Sequence, residues 1–317
     1  MINNKDYEKE FRLSSNEYYD TFWDTMRNPS GYSEKIGRKM RMSNTGSYEL
    51  PSSTLSKLQE KLYEKSKLRK LATVVKNHSL ESRIYIYESD DYIEWMKNYT
   101  IEFIKNPVIK DNFRRIEVSD FTLANLIRLG TDFTSDMNFD LEEFITTELA
   151  KKFIPFESKA FITGDGKTMP TGVLADADGG EIGVETEILT LDDVKKLYFS
   201  LDTKYRENGT WLMNDETALY LQTLKDSSGN YLWSDFASFL MGKPVVIDNA
   251  MPLAQKGAKV IAFGDFSNYW IIERHSPTVR VLNELYALDG QIGYLSYEYL
   301  DGKLVRPDAI KVIKIKD

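Results

Sequence analysis

The stretch AFITGDGKTMPTGVL, residues 160–174, decides how the middle of this 317-residue chain folds. Apolar, helix-like residues run up to Gly164, and an apolar run resumes at Val173. Three interpretations are open at first sight: a phosphate-binding loop, a metal-binding loop, or a turn that only has to reverse the chain. The spacing of the surrounding residues separates these three.

A phosphate-binding loop needs a glycine five residues before Gly166, but Phe161 occupies that position. Such a loop also follows a strand, whereas the quoted stretch follows a long helical pattern. The resemblance of Gly166, Lys167 and Thr168 to the end of a nucleotide-binding motif is therefore set aside.

A calcium loop is the second candidate, in the acidic stretch DADGGEIGVETE at residues 176–187. Carboxylates occupy the first, third and twelfth positions of the calcium-binding pattern: Asp176, Asp178 and Glu187. The fifth position, a ligand in that pattern, is Gly180, and the sixth, which has to be glycine, is Glu181. An acidic surface turn is the better interpretation of this stretch.

The quoted stretch is therefore predicted to be a structural turn that follows a long helix. Glycine permits backbone angles that other residues resist, and proline cannot continue a helix. The residues assigned to the turn are Gly164, Asp165, Gly166, Pro170 and Gly172.

Upstream of the turn, residues 139–163 carry apolar side chains at helical spacing and form the longest helical pattern in the chain. Pro155 falls inside this pattern and predicts a kink, because proline removes a backbone donor and crowds the preceding turn. A shorter helix is predicted after residue 118, with Ser119 as its N-cap and Gly130 as its stop.

Downstream of the turn, Thr190 and Asp193 form a capping box that opens another helix. Asn214 caps a further helix after the buried strand TWLMN, and short apolar strands follow it. Asp301 and Gly302 have the composition of a hairpin turn in a strand-rich tail. The class predicted is mixed α+β.

The N-terminal part combines two helical patterns with a polar segment between them. Residues 5–27 predict an amphipathic helix, and residues 53–71 predict a leucine-faced helix that runs into a strand. Residues 27–54 between them are polar, basic and rich in Gly, Ser and Thr. An extended arm and an ordinary surface loop both fit that composition.

A hairpin of unusual aromatic content is predicted between residues 78 and 112. Apolar and polar residues alternate before the acidic ESDD segment, and a second strand-like run follows it. An isolated two-stranded hairpin is marginal in water, so this one should lie on its own core or on a neighbouring subunit. The apolar residues assigned to it are Ile84, Ile86, Trp95, Tyr99 and Phe103.

Composition excludes several classes of function. The net charge of −8 argues against a global nucleic-acid surface, although a local basic patch escapes that sum. The absence of cysteine excludes disulfides and thiolate metal sites, and no apolar run is long enough for a membrane helix. The two histidines, His78 and His275, lie far apart. No catalytic residue, cofactor site or metal site is predicted, and the chain is not expected to be an enzyme.

Together these segments resemble the major capsid proteins of tailed bacteriophages, whose fold is shared with encapsulins and the floor of herpesvirus capsids. The quoted turn resembles the family's GDG…P.G(I/V)L signature after a long helix. Four further blocks are similar to the family's segment before the extended loop, its W.MN…LKD..G.YLW block, its G.PV…MP strand and its FGDFS strand pair. They are SKLRKLATVV (66–75), WLMNDETALYLQTLKDSSGNYLW (211–233), GKPVVIDNAMP (242–252) and IAFGDFSNYWIIER (261–274).

The resemblance implies the capsid protein architecture, with an N-terminal arm, an extended β-hairpin loop, a peripheral domain around a long spine helix, and an axial domain. It assigns residues 1–50 to the N-terminal helix and arm, 51–77 and 113–187 to the peripheral domain with spine helix 139–163, 78–112 to the extended loop, 188–277 to the axial domain and 278–317 to the return to the peripheral domain. The hairpin would then lie across a neighbouring subunit.

The implied function is self-assembly into pentamers and hexamers that form an icosahedral shell around double-stranded DNA of a tailed phage, prophage or gene-transfer particle. An encapsulin-like nanocompartment is the alternative. Expected partners are further copies of the chain, a portal protein, a scaffold or maturation protease and, in some members, a decoration protein. DNA would be enclosed without sequence-specific binding and without a membrane, in a virion assembled in the host bacterial cytoplasm.

Some members of the family link subunits through a Lys–Asn isopeptide bond. Lys97 and Lys105 are the candidate donors, and Asn283 is the one asparagine in the acceptor region. Because that match is poor, locking without a covalent bond is predicted.

Overall fold

The computed structural model describes residues 12–28, 47–76, 83–87, 113–233 and 238–316. The described residues divide into a small unit between residues 79 and 119 and a main unit formed by the rest. The mixed helix and sheet content matches the predicted α+β class.

The helices of the described residues begin and end close to the capping residues. They are α1 Asn16–Arg27, α2 Ser52–Lys65, α3 Lys67–Leu71, α4 Thr131–Ser135, α5 Leu141–Thr163, α6 Leu191–Ser200, α7 Thr203–Arg206 and α8 Asp215–Thr223. The Thr190–Asp193 capping box and the Asn214 N-cap are both present, as predicted. The predicted helix over 53–71 divides at Ser66, which ends α2 and whose hydroxyl caps α3.

The strands form two sheets in the main unit and a ribbon in the small unit. They are β1 Tyr48–Glu49, β2 Thr73–Lys76, β3 Arg83–Tyr87, β4 Phe113–Glu117, β5 Phe121–Gly130, β6 Glu181–Thr186, β7 Thr210–Met213, β8 Phe239–Leu240, β9 Lys243–Ile247, β10 Lys259–Gly264, β11 Tyr269–Leu282, β12 Gln291–Leu304 and β13 Ile310–Ile315.

The five-stranded sheet has the order β1-β11-β12-β5, with β2 also pairing along β11. Strands β11 and β12 are 14 residues long and antiparallel, and alternate residues of β12 are buried, as expected for a sheet with one face against a core. The first core lies between this sheet, α1, α2 and the first half of α5. From α5 it contains Leu141, Ile145, Leu149 and Phe153.

The six-stranded sheet has the order β6-β13-β10-β7-β9-β8. Strands β7 and β10 at its centre are buried along their whole length, and α6 and α8 supply apolar residues to the same core. A further core joins the end of α5 to residues of β10, β11, β12 and β13. The domain bounds given above stay a prediction, and β11 runs continuously across the proposed boundary at residue 277.

The helix predicted between Ser119 and Gly130 is wrong, because residues 121–130 form strand β5. Every residue of β5 pairs with β12, from Phe121 opposite Leu300 to Gly130 opposite Gln291. The local cap signals were outweighed by this long-range pairing and by a period of two in burial along the strand.

The hairpin turn predicted at Asp301 and Gly302 is also wrong, because both residues lie inside β12, opposite β11. Glycine is needed there for another reason. A Cβ atom on Gly302 would lie 2.0 Å from the hydroxyl oxygen of Tyr269, so the strand needs glycine for close packing. The same Tyr269 hydroxyl donates a hydrogen bond to the carbonyl oxygen of Thr171 at 2.7 Å.

The long helix expected at residues 139–163 is α5, which begins after the N-cap Asp140 and ends at Thr163. It is continuous through Pro155, so the proline does not break it. Beyond it, the chain folds back along the helix end. The amides of Val173 and Leu174 donate to the carbonyls of Phe161 and Ile162, each at 2.8 Å, and so satisfy groups that a helix C-terminus leaves unpaired.

The reversal itself is built on Asp165 and two glycines. The Asp165 carboxylate accepts hydrogen bonds from the amides of Lys167 and Thr168, each at 2.9 Å. These bonds hold the pKa of Asp165 well below its usual value. Gly166 has a φ of +68°, which favours glycine, and the amide of Gly172 donates to the carbonyl of Gly164 at 3.0 Å.

Gly164→Ala is expected to lower the free energy of unfolding by about 1–3 kcal/mol or more, as overpacking does. A Cβ atom there would lie 1.9 Å from the carbonyl oxygen of Pro170 and 2.3 Å from that of Ala160, and both are backbone atoms. Urea denaturation of the unassembled chain measures the change.

Gly130→Ala is the matched control. Gly130 has φ −62° and ψ 145°, against −63° and 147° for Gly164, but its nearest contact for a Cβ is 3.7 Å away. The control is expected to change stability by at most about 1 kcal/mol, because the lower entropy of the unfolded chain favours alanine whereas the N-cap position of α4 favours glycine. Equal effects of the two substitutions would show that the tight return of the chain is not what requires glycine at 164.

Candidate assembly interface

A buried ionic cluster fastens the long helix to the five-stranded sheet. The Arg69 guanidinium, from α3, donates to both carboxylate oxygens of Glu157 on α5, each at 2.8 Å. It also donates to Glu273 on β11 at 2.8 Å and to Glu298 on β12 at 3.1 Å. All four side chains are buried. One arginine thus joins four elements that are far apart in the sequence.

The pKa values of two glutamates in the cluster, Glu157 and Glu298, are shifted in opposite directions. Burial lowers the pKa of Arg69, but the attraction of Glu157 and the other carboxylates outweighs it and raises that pKa well above the usual value. Burial also opposes ionisation of Glu157, but Arg69 outweighs it and lowers the pKa of Glu157. Burial and the charge of Glu157 hold the pKa of Glu298 well above its usual range.

This cluster is suited to rigidity. Its four residues are buried, and a buried charged network tolerates only small displacements of its members. Helix α3 leads directly into β2, after which the chain enters the segment that contains the predicted hairpin. Arg69 therefore lies one short strand before that segment in the sequence.

Strand β3 of the small unit lies in the predicted hairpin, but its partner among the described residues is β4, which lies beyond the predicted bounds of 78–112. Strand β3 pairs antiparallel with β4, which places Ile84 opposite Ile116 and Ile86 opposite Arg114. The other residues assigned to the hairpin, Trp95, Tyr99 and Phe103, lie outside the described residues, as does the strand-like run that contains them.

The opposite face of this ribbon was missed in the sequence analysis. Tyr85, Tyr87 and Phe113 are 55%, 50% and 57% exposed, and the rings of Tyr87 and Phe113 lie 5.3 Å apart. We call these three residues the aromatic face. The signal was in the sequence, because a period of two that places Ile84 and Ile86 on one face places the tyrosines on the other.

A second exposed apolar site lies beside the six-stranded sheet. Ile188, Tyr220 and Leu253 are exposed and line a groove with a volume of about 490 Å³. Glu187 and Glu216 also line the groove, which therefore has an acidic rim. Clustered exposed apolar residues rimmed by polar ones are typical of protein–protein contacts.

The remaining sequence candidates are occupied by the protein's own contacts or lie outside the described residues. Asp176, in the calcium-like stretch, pairs with the buried ammonium of Lys259 at 3.0 Å, and this contact lowers the pKa of Asp176. His275 Nε2 lies 3.5 Å from a carboxylate oxygen of Asp120, and His78 lies outside the described residues. Asn283 directly follows β11, whereas the candidate isopeptide donors Lys97 and Lys105 are outside the described ranges.

Two further observations concern only the part of the chain that the structure describes. Within it, no three acidic or histidine side chains come together in a way that could hold a metal ion. Likewise, none of the helices given above is both long and apolar enough to span a membrane.

A long helix held to a sheet by buried charges, a second sheet with an exposed groove, and a ribbon with an aromatic face leave apolar surface available for contact with other protein chains. The chain belongs to the phage capsid family, whose model matches residues 46–315. It is a major capsid protein, a component of the virion shell. The family predicted from the sequence is confirmed, and it is a family of shell proteins rather than of enzymes.

Solved structures agree with this assignment. The capsid protein of a native gene-transfer (GTA) particle, computed with C5 symmetry, is 27% identical, with a TM-score of 0.61 over 79% of this chain and 90% of its own. That of the empty particle is also 27% identical, with a TM-score of 0.64 over 80% and 90%. Microbacterium phage Oxtober96, at 14% identity, shares the fold with a TM-score of 0.57 over 79% and 91%. No curated protein matches the chain, and the encapsulin-like alternative is not favoured.

Proposed function

We propose that this chain assembles head to tail into pentamers and hexamers, and that these tile an icosahedral shell around double-stranded DNA. A heterologous contact closes into a ring when its rotation divides a full turn, and a single chain can form rings of both sizes. The particle capsids similar to this chain were computed with C5 symmetry, which supports the pentamer.

The observation that carries the proposal is the aromatic face of the small unit. A two-stranded ribbon has too little area to bury such a surface by itself, and three half-exposed rings on one side of it favour a partner surface. In this proposal the ribbon, with Ile84, Ile86, Trp95, Tyr99 and Phe103, is the extended loop that lies across the adjacent subunit.

The groove formed by Ile188, Tyr220 and Leu253 is proposed as a contact within the ring, inside the axial domain assigned to residues 188–277. Residues 51–77, 113–187 and 278–317 then form the peripheral domain, and the turn at Gly164–Gly172 ends its spine helix. Each contact between subunits can be weak, because a closed shell repeats that contact in many copies.

The proposal also includes other protein partners and the compartment in which the shell assembles. A portal protein, a scaffold or maturation protease and a decoration protein are the other partners proposed, and assembly takes place in the host bacterial cytoplasm. The chain contributes no enzymatic step, and the shell is held without covalent cross-links.

Electron microscopy of the purified full chain, concentrated under native conditions, tests the proposal. Closed particles tens of nanometres wide, or five- and six-membered rings, are expected. A preparation that stays monomeric at every concentration, with and without residues 1–50, would refute it. Particles that are closed but filled with a cellular enzyme instead of nucleic acid would favour the nanocompartment.

A further inference from the structure

A basic face runs along the second half of α5, in contrast to the acidic character of the whole chain. After Glu148, the exposed charged residues of this helix are Lys151, Lys152 and Lys159. Glu157 is the acidic residue in that half, and it is buried and bonded to Arg69. The exposed surface of the helix is therefore positively charged from residue 151 to its end.

Lysines from a second element extend this face into a groove. Lys65 at the end of α2 and Lys67 at the start of α3 line it together with Lys159, and its volume is about 540 Å³. Pro155 and Ser158 of α5 form one wall, and residues 248–250 form another. We call Lys65, Lys67 and Lys159 the lysine groove.

The charge of the groove is not neutralised by its lining. Asp248 is the acidic residue among the described lining residues, and it is buried. Its carboxylate accepts a hydrogen bond from the amide of Ala250 at 2.9 Å. The Lys67 ammonium donates to the carbonyl of Ile247, which is a neutral partner. The described lining of the groove therefore carries three ammonium groups and one buried carboxylate.

Helix stability alone accounts for only part of this arrangement. A lysine in the last turn of a helix interacts favourably with the helix dipole, which explains Lys65 on α2 but not Lys159, since the last turn of α5 contains no basic residue. It does not explain Lys67, which lies at the first position of α3, where a positive charge is unfavourable. Nor does it explain why all three converge on one groove.

We infer that the lysine groove binds the phosphate backbone of the DNA enclosed by the shell, which requires this face of α5 to line the interior. The inference rests on the proposed function. Charge complementarity selects the occupant, because lysine acts as a point charge for phosphate oxygens and none of the described residues that line the groove is an aromatic on which a base could stack. Binding is thus independent of sequence, and it is weakened by the net charge of −8.

The test is the salt dependence of DNA binding by the full-length chain before it assembles, when the groove is accessible to added DNA. Fluorescence anisotropy of a labelled duplex of roughly 30 base pairs is measured between about 50 mM and about 200 mM salt. The triple variant Lys65→Gln, Lys67→Gln, Lys159→Gln is expected to bind about tenfold more weakly at the lower salt. Its log–log salt slope should fall in magnitude by about 2–3, since each neutralised phosphate contributes about 0.9.

The matched control removes the same charge from another surface. Lys195→Gln, Lys196→Gln, Lys204→Gln changes three exposed lysines of α6 and α7 and should leave the slope unchanged. If both triple variants lose DNA affinity and salt slope equally, the effect comes from net charge alone, and the inference is overturned. Displacement of the duplex by poly-glutamate at matched charge, with poly-glutamate bound more tightly than DNA, would overturn it in favour of an acidic protein segment.

Microscopy of both variants keeps the two proposals apart. If closed shells form and the lysine-groove variant binds DNA as the unsubstituted chain does, the groove assignment fails and the shell assignment stands. If the unsubstituted chain forms no shells, the proposed function fails on its own terms. The result expected for the lysine-groove variant is normal shells under the microscope, together with a reduced salt slope for DNA binding by the unassembled chain.

Discussion

Arg69→Met is expected to lower the free energy of unfolding of the unassembled chain by about 3–5 kcal/mol, the range found when one partner of a buried ion pair is removed. Arg69 supplies four of the hydrogen bonds in its cluster, two of them to Glu157. Methionine fills much of the same volume but leaves buried carboxylates without a counter-charge. The loss is measured by urea denaturation.

The loss in free energy of unfolding caused by Arg69→Met should depend on pH, and the direction of that dependence identifies its cause. In the unsubstituted chain the pKa of Glu157 lies below its usual 4.5, so its contribution is fully present above that pH and is lost on acidification. In the variant, burial is the largest remaining influence and raises the pKa of Glu157, against a smaller lowering by the hydrogen bond with Glu298, so stability is lost as the pH rises through that pKa. Because the pKa of Glu298 is raised, its ionisation lowers the free energy of unfolding of both proteins as the pH rises. The penalty is therefore larger at about pH 8 than at about pH 5.

Two companion variants separate lost charge pairing from lost packing. Adding Glu157→Gln to Arg69→Met removes the carboxylate that depends most on Arg69, and it should recover part of the stability. Arg128→Met, at an exposed arginine of β5, is expected to cost at most about 1 kcal/mol. A penalty that is the same at both pH values and is not relieved by Glu157→Gln would contradict the electrostatic explanation.

The sequence predicted those parts of the fold whose signals are local. The helix over residues 139–163 and the capping box at Thr190 and Asp193 are encoded within a few residues of themselves, so they could be located before any contact was known. The tight return after Gly164 belongs to the same group. Local signals misled where a strand depended on a distant partner, as in β5, where Ser119 before the strand and Gly130 at its end have the composition of helix caps.

The candidate surfaces were predictable only in part, for similar reasons. Arg69, Glu157, Glu273 and Glu298 are separated by up to 229 positions, and each alone looks like an ordinary charge on a helix or strand. The cluster can be recognised only once the structure shows these side chains paired. The lysine groove likewise needs α2, α3 and α5 to be placed together. The aromatic face, in contrast, followed from the alternation of residues 83–87, and sequence reasoning could have found it.

The double substitution Tyr85→Ser, Phe113→Ser is expected to raise the protein concentration needed for shell formation by about tenfold to a hundredfold. Truncating an aromatic residue at the centre of an interface costs about 1–2 kcal/mol or more, and each 1.4 kcal/mol is a factor of ten in association. Both side chains are more than half exposed, so the main unit should unfold at the same urea concentration as before. Light scattering across a concentration series measures the assembly threshold.

The exchange Tyr85→Phe, Phe113→Tyr is the matched control, because it keeps both rings and nearly the same apolar area. It should assemble at the threshold of the unsubstituted chain. The contrast between serine and ring exchange assigns the effect to buried aromatic surface, since both variants alter the same two positions of β3 and β4. If the serine variant assembles at the normal threshold while its main unit stays folded, the ribbon does not lie across a neighbouring subunit, and shell contacts have to come from the groove at Ile188 and other surfaces of the main unit.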